Sequence, residues 1–300
     1  LGAARLPRVP RRCARGGEAC DASARAEAEE AQVSDLWQMM RGDSLLLLRD
    51  LPSDSVDALI TDPPYSSGGA FRGDRTPPSS AKYAEAGAED GMRQLPEVEG
   101  DSRDQRGYMA WSSLWLAECY RVARTGAFIA VFSDWRQLPT TSDALQAGGW
   151  IWRGIAPWCK PNARPQQGRP SNAAEFVLWG SKGAMPFDRP CKSIAGFWVV
   201  SPPRDRAHMT EKPVEVMADL SRMCVPGGTI LDPFAGSGST GEPALVGETA
   251  VAEGRRFVGV ETSPAYYEIA ARRLRNCEAG RPRRQNDAAP LGPLFAGATP

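Results

Sequence analysis

The chain has 300 residues, 42% of them hydrophobic, and its 36 basic side chains balance 36 acidic ones. That length is enough for a sizeable core, and no apolar run approaches the roughly 18 residues of a membrane span, which argues against a helical membrane protein. Zero net charge excludes a global field for nucleic acid, and a single histidine (His208) with seven scattered cysteines and no CxxC pair excludes an ordinary zinc site.

In chain order, residues 1–36 begin with Arg5, Arg8, Arg11, Arg12 and Arg15. Glu18, Asp21, Glu27, Glu29 and Glu30 follow, too many acids for a transit peptide. The segment reads as a disordered tail, or as sequence upstream of a start at Met39 or Met40. Residues 37–43 (WQMMRGD) and 56–62 (VDALITD) are then predicted strands, each ending on an acid. Residues 66–108, rich in Gly, Ser, Pro and acids, take the place where substrate loops of parallel sheets sit, after the carboxyl end of a strand. A helix follows, with Trp111, Leu114, Trp115, Cys119 and Val122 on one face and Gly126 as its terminator.

Three strands come next, at 126–134, 150–158 and 174–180. Residues 159–173 and 181–211 are basic and Pro-rich. Between Ile151 and Pro213 there are 10 basic and 4 acidic side chains, against 8 and 13 between Arg41 and Ala110. A local basic stripe suits phosphate contact; Arg153, Lys160, Arg164, Arg169 and Lys192 are candidates, and the lone His208 suits loop packing or phosphate contact. A helix at 213–224, strands at 228–232 and 256–261, and a helix capped by Ser263 and opened by Pro264 complete the pattern. Residues 278–300 read as a second tail. Seven short apolar strands with helical spacers predict an open, mostly parallel α/β sheet, and an odd cysteine count suits reduced thiols in a cytoplasm.

Two stretches carry chemistry. In ILDPFAGSGSTG, Gly236, Gly238 and Gly241 match G-x-G-x-x-G between a strand and a helix, and Glu261 ends the next strand. Such glycines let the backbone approach a ligand, and the acid can accept from ribose hydroxyls. The loop fits NAD and S-adenosylmethionine equally well. The other stretch is ITDPPY, where two prolines fix the chain between Asp62 and Tyr65. A carboxylate beside a directed carbonyl suits methylation of an exocyclic amino group on a nucleobase. Asp62 and the Pro63 carbonyl can each accept one N–H, which localises the nitrogen lone pair, and Tyr65 can stack on a base turned out of the duplex. A dehydrogenase reading leaves ITDPPY unexplained.

These motifs resemble the amino-directed DNA methyltransferases, specifically the β-class, in which the catalytic motif precedes the cofactor loop. The resemblance rests on Asp62-Pro63-Pro64-Tyr65, DPFAGSGST (232–240), HMTEKP (208–213), GVE (259–261) and GDSLLLLRDLPSDSVD (42–57), and spans about residues 37–277. It implies a Rossmann-like fold with a mostly parallel seven-stranded sheet, one strand antiparallel, helices on both faces, and S-adenosyl-L-methionine as cofactor. It further implies a role for Asp43 near the cofactor adenine. Lys212, Asp232, Phe234, Gly236, Gly238, Ser239 and Thr240 would surround the methionine end, with Glu261 on the ribose. Asp62, Pro63, Pro64 and Tyr65 would be catalytic, with Asp62 also at the cofactor. Residues 66–108 would be a variable substrate loop, and 159–211 would include target-recognition segments. Members with DPPY mostly methylate adenine N6, those with SPPY cytosine N4; RNA or protein amides are a more distant alternative, because there the cofactor loop normally comes first. Double-stranded DNA is the implied partner, with a second copy of the chain and a cognate restriction endonuclease as further candidates. Pro243 and Gly247 depart from the family's first cofactor helix.

Overall fold

The structure, a computed structural model, describes residues 31–66, 101–163, 167–168, 170–191, 193–203, 211–242 and 254–279. Among the described residues nine strands form one sheet: β1 (Ala31–Val33), β2 (Trp37–Arg41), β3 (Val56–Thr61), β4 (Ala123–Ser133), β5 (Ile151–Cys159), β6 (Ala174–Ser181), β7 (Trp198–Val199), β8 (Thr229–Asp232) and β9 (Arg256–Glu261). Their spatial order is β1-β2-β9-β8-β3-β4-β6-β5-β7. The seven predicted strands are all present, and β6 alone among them runs against the rest, antiparallel to both β4 and β5. The outer strands β1 and β7 extend the sheet beyond the seven expected.

The continuous apolar runs bury both faces, as a parallel sheet with helices on either side requires. Ala58 and Ile60 of β3, with Phe128, Ala130 and Phe132 of β4, point into one core. That core is covered by α4 (Val214–Ser221) and α5 (Pro264–Glu278). Leu59, Ile129 and Val131 point the other way, against α2 (Gln105–Val122) and α3 (Leu138–Ala147). A short helical turn, α1 (Ser44–Leu47), follows β2.

Two sequence expectations are corrected. Residues 31–33, assigned to a terminal tail, pair with β2 in register Ala31↔Met40. Trp37, just before the suggested start at Met39, is 2% exposed and donates from its indole nitrogen to Glu278 at 2.9 Å, so this segment belongs to the sheet. Gly126 does not end the helix: α2 stops at Val122 and the chain enters β4 at once. The Val56–Ala123 pairing captures the chain early, and a register shift follows before Ala58 meets Phe128. Gly126, at φ +82°, supplies the left-handed residue that this irregularity needs. Expectations for residues 1–30, most of 66–108 and 280–300 lie outside the described residues, as do Pro243 and Gly247.

The antiparallel insertion of β6 has a tight point. A Cβ on Gly180 would lie 2.2 Å from the carbonyl oxygen of Ile151 in β5. Backbone on a central strand yields little, so Gly180→Ala should lower the unfolding free energy by about 2–3 kcal/mol, read as a shifted urea midpoint.

Candidate active site

The pairing of β3 with β8 decides where the two motifs meet. These strands run parallel, with Ala58 opposite Ile230 and Leu59 opposite Leu231. Chains leaving their carboxyl ends therefore emerge side by side, though the motifs lie about 170 residues apart in sequence. Thr61 donates its hydroxyl to Asp232 at 2.6 Å across the seam. Asp232 also accepts from the Thr240 hydroxyl at 2.5 Å and the Phe234 amide at 3.0 Å, which folds the glycine loop back onto its own strand.

One cavity opens over this seam. Asp62, Pro63, Pro64 and Tyr65 form one wall. Asp232, Phe234, Gly236, Ser239 and Thr240 form another, and Asp43 and Glu261 stand at the end of β2 and β9. Gly236 adopts φ +52°, a left-handed turn that glycine takes without penalty. Its amide donates to Glu261 at 2.9 Å, and the other Glu261 oxygen accepts from Ser263 N at 2.8 Å. Asp43 caps α1 by accepting from Leu45 N at 2.7 Å.

Two predicted residues are placed differently. Gly238, at φ +81°, does not line the cavity; a Cβ there would meet Ala270 at 3.2 Å, so this glycine serves the close approach of α5. Lys212 is not on the cavity wall either. It is 2% exposed and lies behind Asp62, with its ammonium 2.6 Å from Asp62 Oδ2 and 3.2 Å from Glu175 Oε2. The rings of Tyr65 and Phe132 lie 5.3 and 5.2 Å from that ammonium.

Sequence reasoning missed Glu175, read only as the start of a strand. It accepts from Lys160, at the end of β5, and from the Tyr65 hydroxyl at 3.2 Å. Tyr65 donates to Asp62 Oδ1 as well, at 2.6 Å. Asp62, Tyr65, Glu175, Lys160 and Lys212 thus form one charge-balanced cluster. Burial would raise the Glu175 carboxyl, but Lys212 and Lys160 override it and hold it at about 2. Burial wins at Asp62, which titrates above its usual range despite Lys212. The Tyr65 hydroxyl is pushed well up by burial and by both carboxylates.

Also missed were Trp111 and Arg103 on the cavity wall, where the Arg103 guanidinium stacks on Trp111 at 4.1 Å and Trp111 packs on Phe234 at 5.2 Å. The signal for Trp111 was the aromatic stripe of α2, which reads as core; Arg103 lies before that helix and carried no signal. Lys160, a candidate phosphate contact, is committed to Glu175. Arg153 sits near the opposite end of β5, bonded to Ser181 and Gly183. Trp135, just after β4, is half-exposed under Arg136 and does not line the cavity. Arg164, Arg169, Lys192 and His208 lie outside the described residues.

Among the described residues no helix is long and apolar enough to cross a membrane, and no acid, cysteine or histidine cluster could hold a metal. Cys119, Cys159, Cys191, Cys224 and Cys277 are all free thiols.

Known proteins are similar to this chain. The chain is 30% identical to the type II methyltransferase M.Cfr9I of Citrobacter freundii, over 83% of this chain and 90% of that protein. It is 31% identical to the type II methyltransferase M.XycI of Xanthomonas campestris pv. cyanopsidis, over 79% and 87%. The solved M1.HpyAVI-SAM complex superposes with a TM-score of 0.56 at 21% identity, covering 80% of this chain and 99% of that one. The PvuII DNA methyltransferase, cytosine-N4-specific, gives 0.57 at 17% identity, covering 79% and 86%; both show the shared Rossmann-like fold. Residues 56–272 match the N6_N4_Mtase family, described as DNA methylase, and the chain belongs to that family of amino-directed DNA methyltransferases.

Proposed function

We propose that this protein transfers a methyl group from S-adenosyl-L-methionine to the N6 amino group of an adenine turned out of duplex DNA. The observation that carries the reading is the shared cavity: the Asp62 carboxylate and the Gly236 loop face the same space from neighbouring strand ends. The residues fit the cofactor. Acidic Asp232 and Asp62 suit a cationic methionine end, the Glu261 carboxylate retains lone pairs for ribose hydroxyls, and Phe234 backed by Trp111 offers an apolar wall for an adenine. When bound, the cofactor supplies a sulfonium methyl open to in-line displacement.

The chain's own contribution is placement and polarity. Asp62 and the Pro63 carbonyl accept the two N–H bonds of the target amine, and the Tyr65 ring holds the base face. The nitrogen lone pair, no longer shared with the ring, would be free to act as the nucleophile toward the methyl donor, and the proton that the amine sheds on methylation would pass to the Asp62 carboxylate, whose affinity for a proton burial raises. Most of the acceleration would come from fixed dipoles and orientation.

Adenine is preferred because the motif begins with Asp62 rather than serine. Cytosine N4 is the second reading, favoured by the fold shared with a cytosine-N4-specific enzyme. The type II relatives support duplex DNA as substrate and a cognate restriction endonuclease as partner. The test is incubation with methyl-labelled cofactor and unmethylated genomic DNA, followed by digestion to nucleosides. Label in N6-methyladenine is expected; N4-methylcytosine would transfer the reading to cytosine, and label confined to RNA or protein would refute both.

Cofactor binding should also depend on pH. Burial raises Asp232 to about 6, against the bonds from Thr240 and Thr61. The folded chain thus holds this proton more tightly than the unfolded chain does. The associated stability, about 2–3 kcal/mol, is full only below the ordinary carboxylate value of 3.8 and is lost progressively as pH rises from there through about 6. A cationic ligand favours the ionised form, so its affinity should rise across the same window. Calorimetry between pH 5 and 7.5 should show proton release on binding, absent in Asp232→Asn.

A further inference from the structure

Asp62 has a conflict to resolve before it can act. Its Oδ1 already accepts from the Tyr65 hydroxyl at 2.6 Å, and its Oδ2 from the Lys212 ammonium at 2.6 Å. Both bonds draw down the charge that an incoming N–H must find. A short charge-assisted bond of this kind is the strong class of hydrogen bond, and it competes with the weaker donor that an aromatic amine provides.

Glu175 stands where the Tyr65 hydroxyl can go. Its Oε2 is 3.2 Å from Tyr65 Oη, already a second, longer acceptor for the same proton. Its Oε1 is held by Lys160, and Lys212 spans the space between Glu175 and Asp62. The two ammonium groups balance the two carboxylates, so Glu175 stays ionised and acceptor-only beside Asp62. The hydroxyl proton needs only a small rotation of the phenol to change partner, with no covalent bond made or broken.

We infer that Glu175 is a positioning residue that takes the Tyr65 hydroxyl from Asp62 when the target amine arrives, leaving Asp62 Oδ1 for the amine N–H. The inference rests on the proposed function, since it needs an N–H donor to enter beside Asp62. The groups facing Glu175 come from three elements: Asp62 and Tyr65 after β3, Lys160 at the end of β5, and Lys212 before α4. In Glu175→Gln the amide oxygen would be claimed by an ammonium and the hydroxyl would stay on Asp62.

The test is a double-mutant cycle on the full chain, read as single-turnover methyl transfer at saturating cofactor and duplex DNA. Glu175→Gln should slow transfer roughly 30-fold, with cofactor affinity within about twofold of wild type; its thermal midpoint should fall, because Lys160 and Lys212 lose a carboxylate partner, so rates are compared well below the transition. Tyr65→Phe keeps the ring but removes the hydroxyl that has to be handed over. The double variant should therefore be roughly 10-fold faster than Glu175→Gln alone, a rescue that a merely structural role would not give. A double variant no faster than Glu175→Gln, or a Glu175→Gln enzyme as fast as wild type, overturns the inference while the proposed function stands. A wild-type chain that labels no DNA overturns both. Should Glu175→Gln fold poorly at the assay temperature, all members of the cycle are compared at a lower temperature where each is folded, with the same expected rescue.

Discussion

Replacing Asp62 by asparagine should reduce methyl transfer by a factor on the order of 10³ while leaving cofactor affinity within about threefold of wild type. Asparagine matches the volume and keeps one oxygen for Lys212 or Tyr65, but not one for each and a third for the substrate amine. Its NH₂ group would point a donor at a donor. The ammonium of Lys212 keeps Glu175 as partner at 3.2 Å, so the fold has no new isolated charge. The wild-type rate should decline on acidification, because burial sets the Asp62 carboxyl above its usual range and a protonated oxygen accepts poorly. The asparagine variant should lack that acidic limb. Single-turnover rates against pH, paired with a cofactor titration, separate the two effects; an asparagine variant transferring at the wild-type rate would remove Asp62 from the chemistry.

How this site could be read in the sequence depended on how local its parts are. Asp62-Pro63-Pro64-Tyr65 and the glycine loop are each contiguous, with restrictions on φ and small residues that say where a backbone must bend. Their sequence does not say that β3 and β8 are neighbours; that follows from the strand order, and it brings both motifs to one cavity. The antiparallel strand was expected from the family pattern, and it is β6 that carries Glu175 to Tyr65 across 110 residues. No periodicity marks that glutamate, because it heads an apolar run that reads as an ordinary strand. Gly126 was misread for a related reason. Gly after an amphipathic helix is an ordinary stop signal, yet here pairing with β3 ends the helix earlier. Gly238 was read as a ligand contact when its missing side chain makes room for α5.

Removal of the Arg273 side chain should have the largest effect on stability and should reach the site indirectly. Arg273 sits on α5, next to Arg272 in a helix whose sequence suggests an exposed basic face. Instead its side chain is 6% exposed and donates to Glu211, itself 1% exposed, at 2.6 Å. Glu242, just after the glycine loop, lies 3.3 Å from the same guanidinium. Two buried carboxylates thus share this cation. Such a pair adds little over well-packed apolar groups, but breaking it strands charge in a low-dielectric interior at a cost of about 3–5 kcal/mol. Arg273→Ala should lower the urea midpoint accordingly with little change in m-value, whereas a double change of Arg273→Met with Glu211→Gln should recover a good part of the loss. Because Glu211 adjoins Lys212 in the chain, the single variant should also slow methyl transfer at temperatures where it remains folded. Cofactor affinity should fall with it, since Glu211 and the loop before Glu242 both border the cavity. An Arg273→Ala protein as stable as wild type would mean that water reaches this cluster and that α5 is anchored by its apolar face, through Tyr267, Ala270 and Leu274, alone.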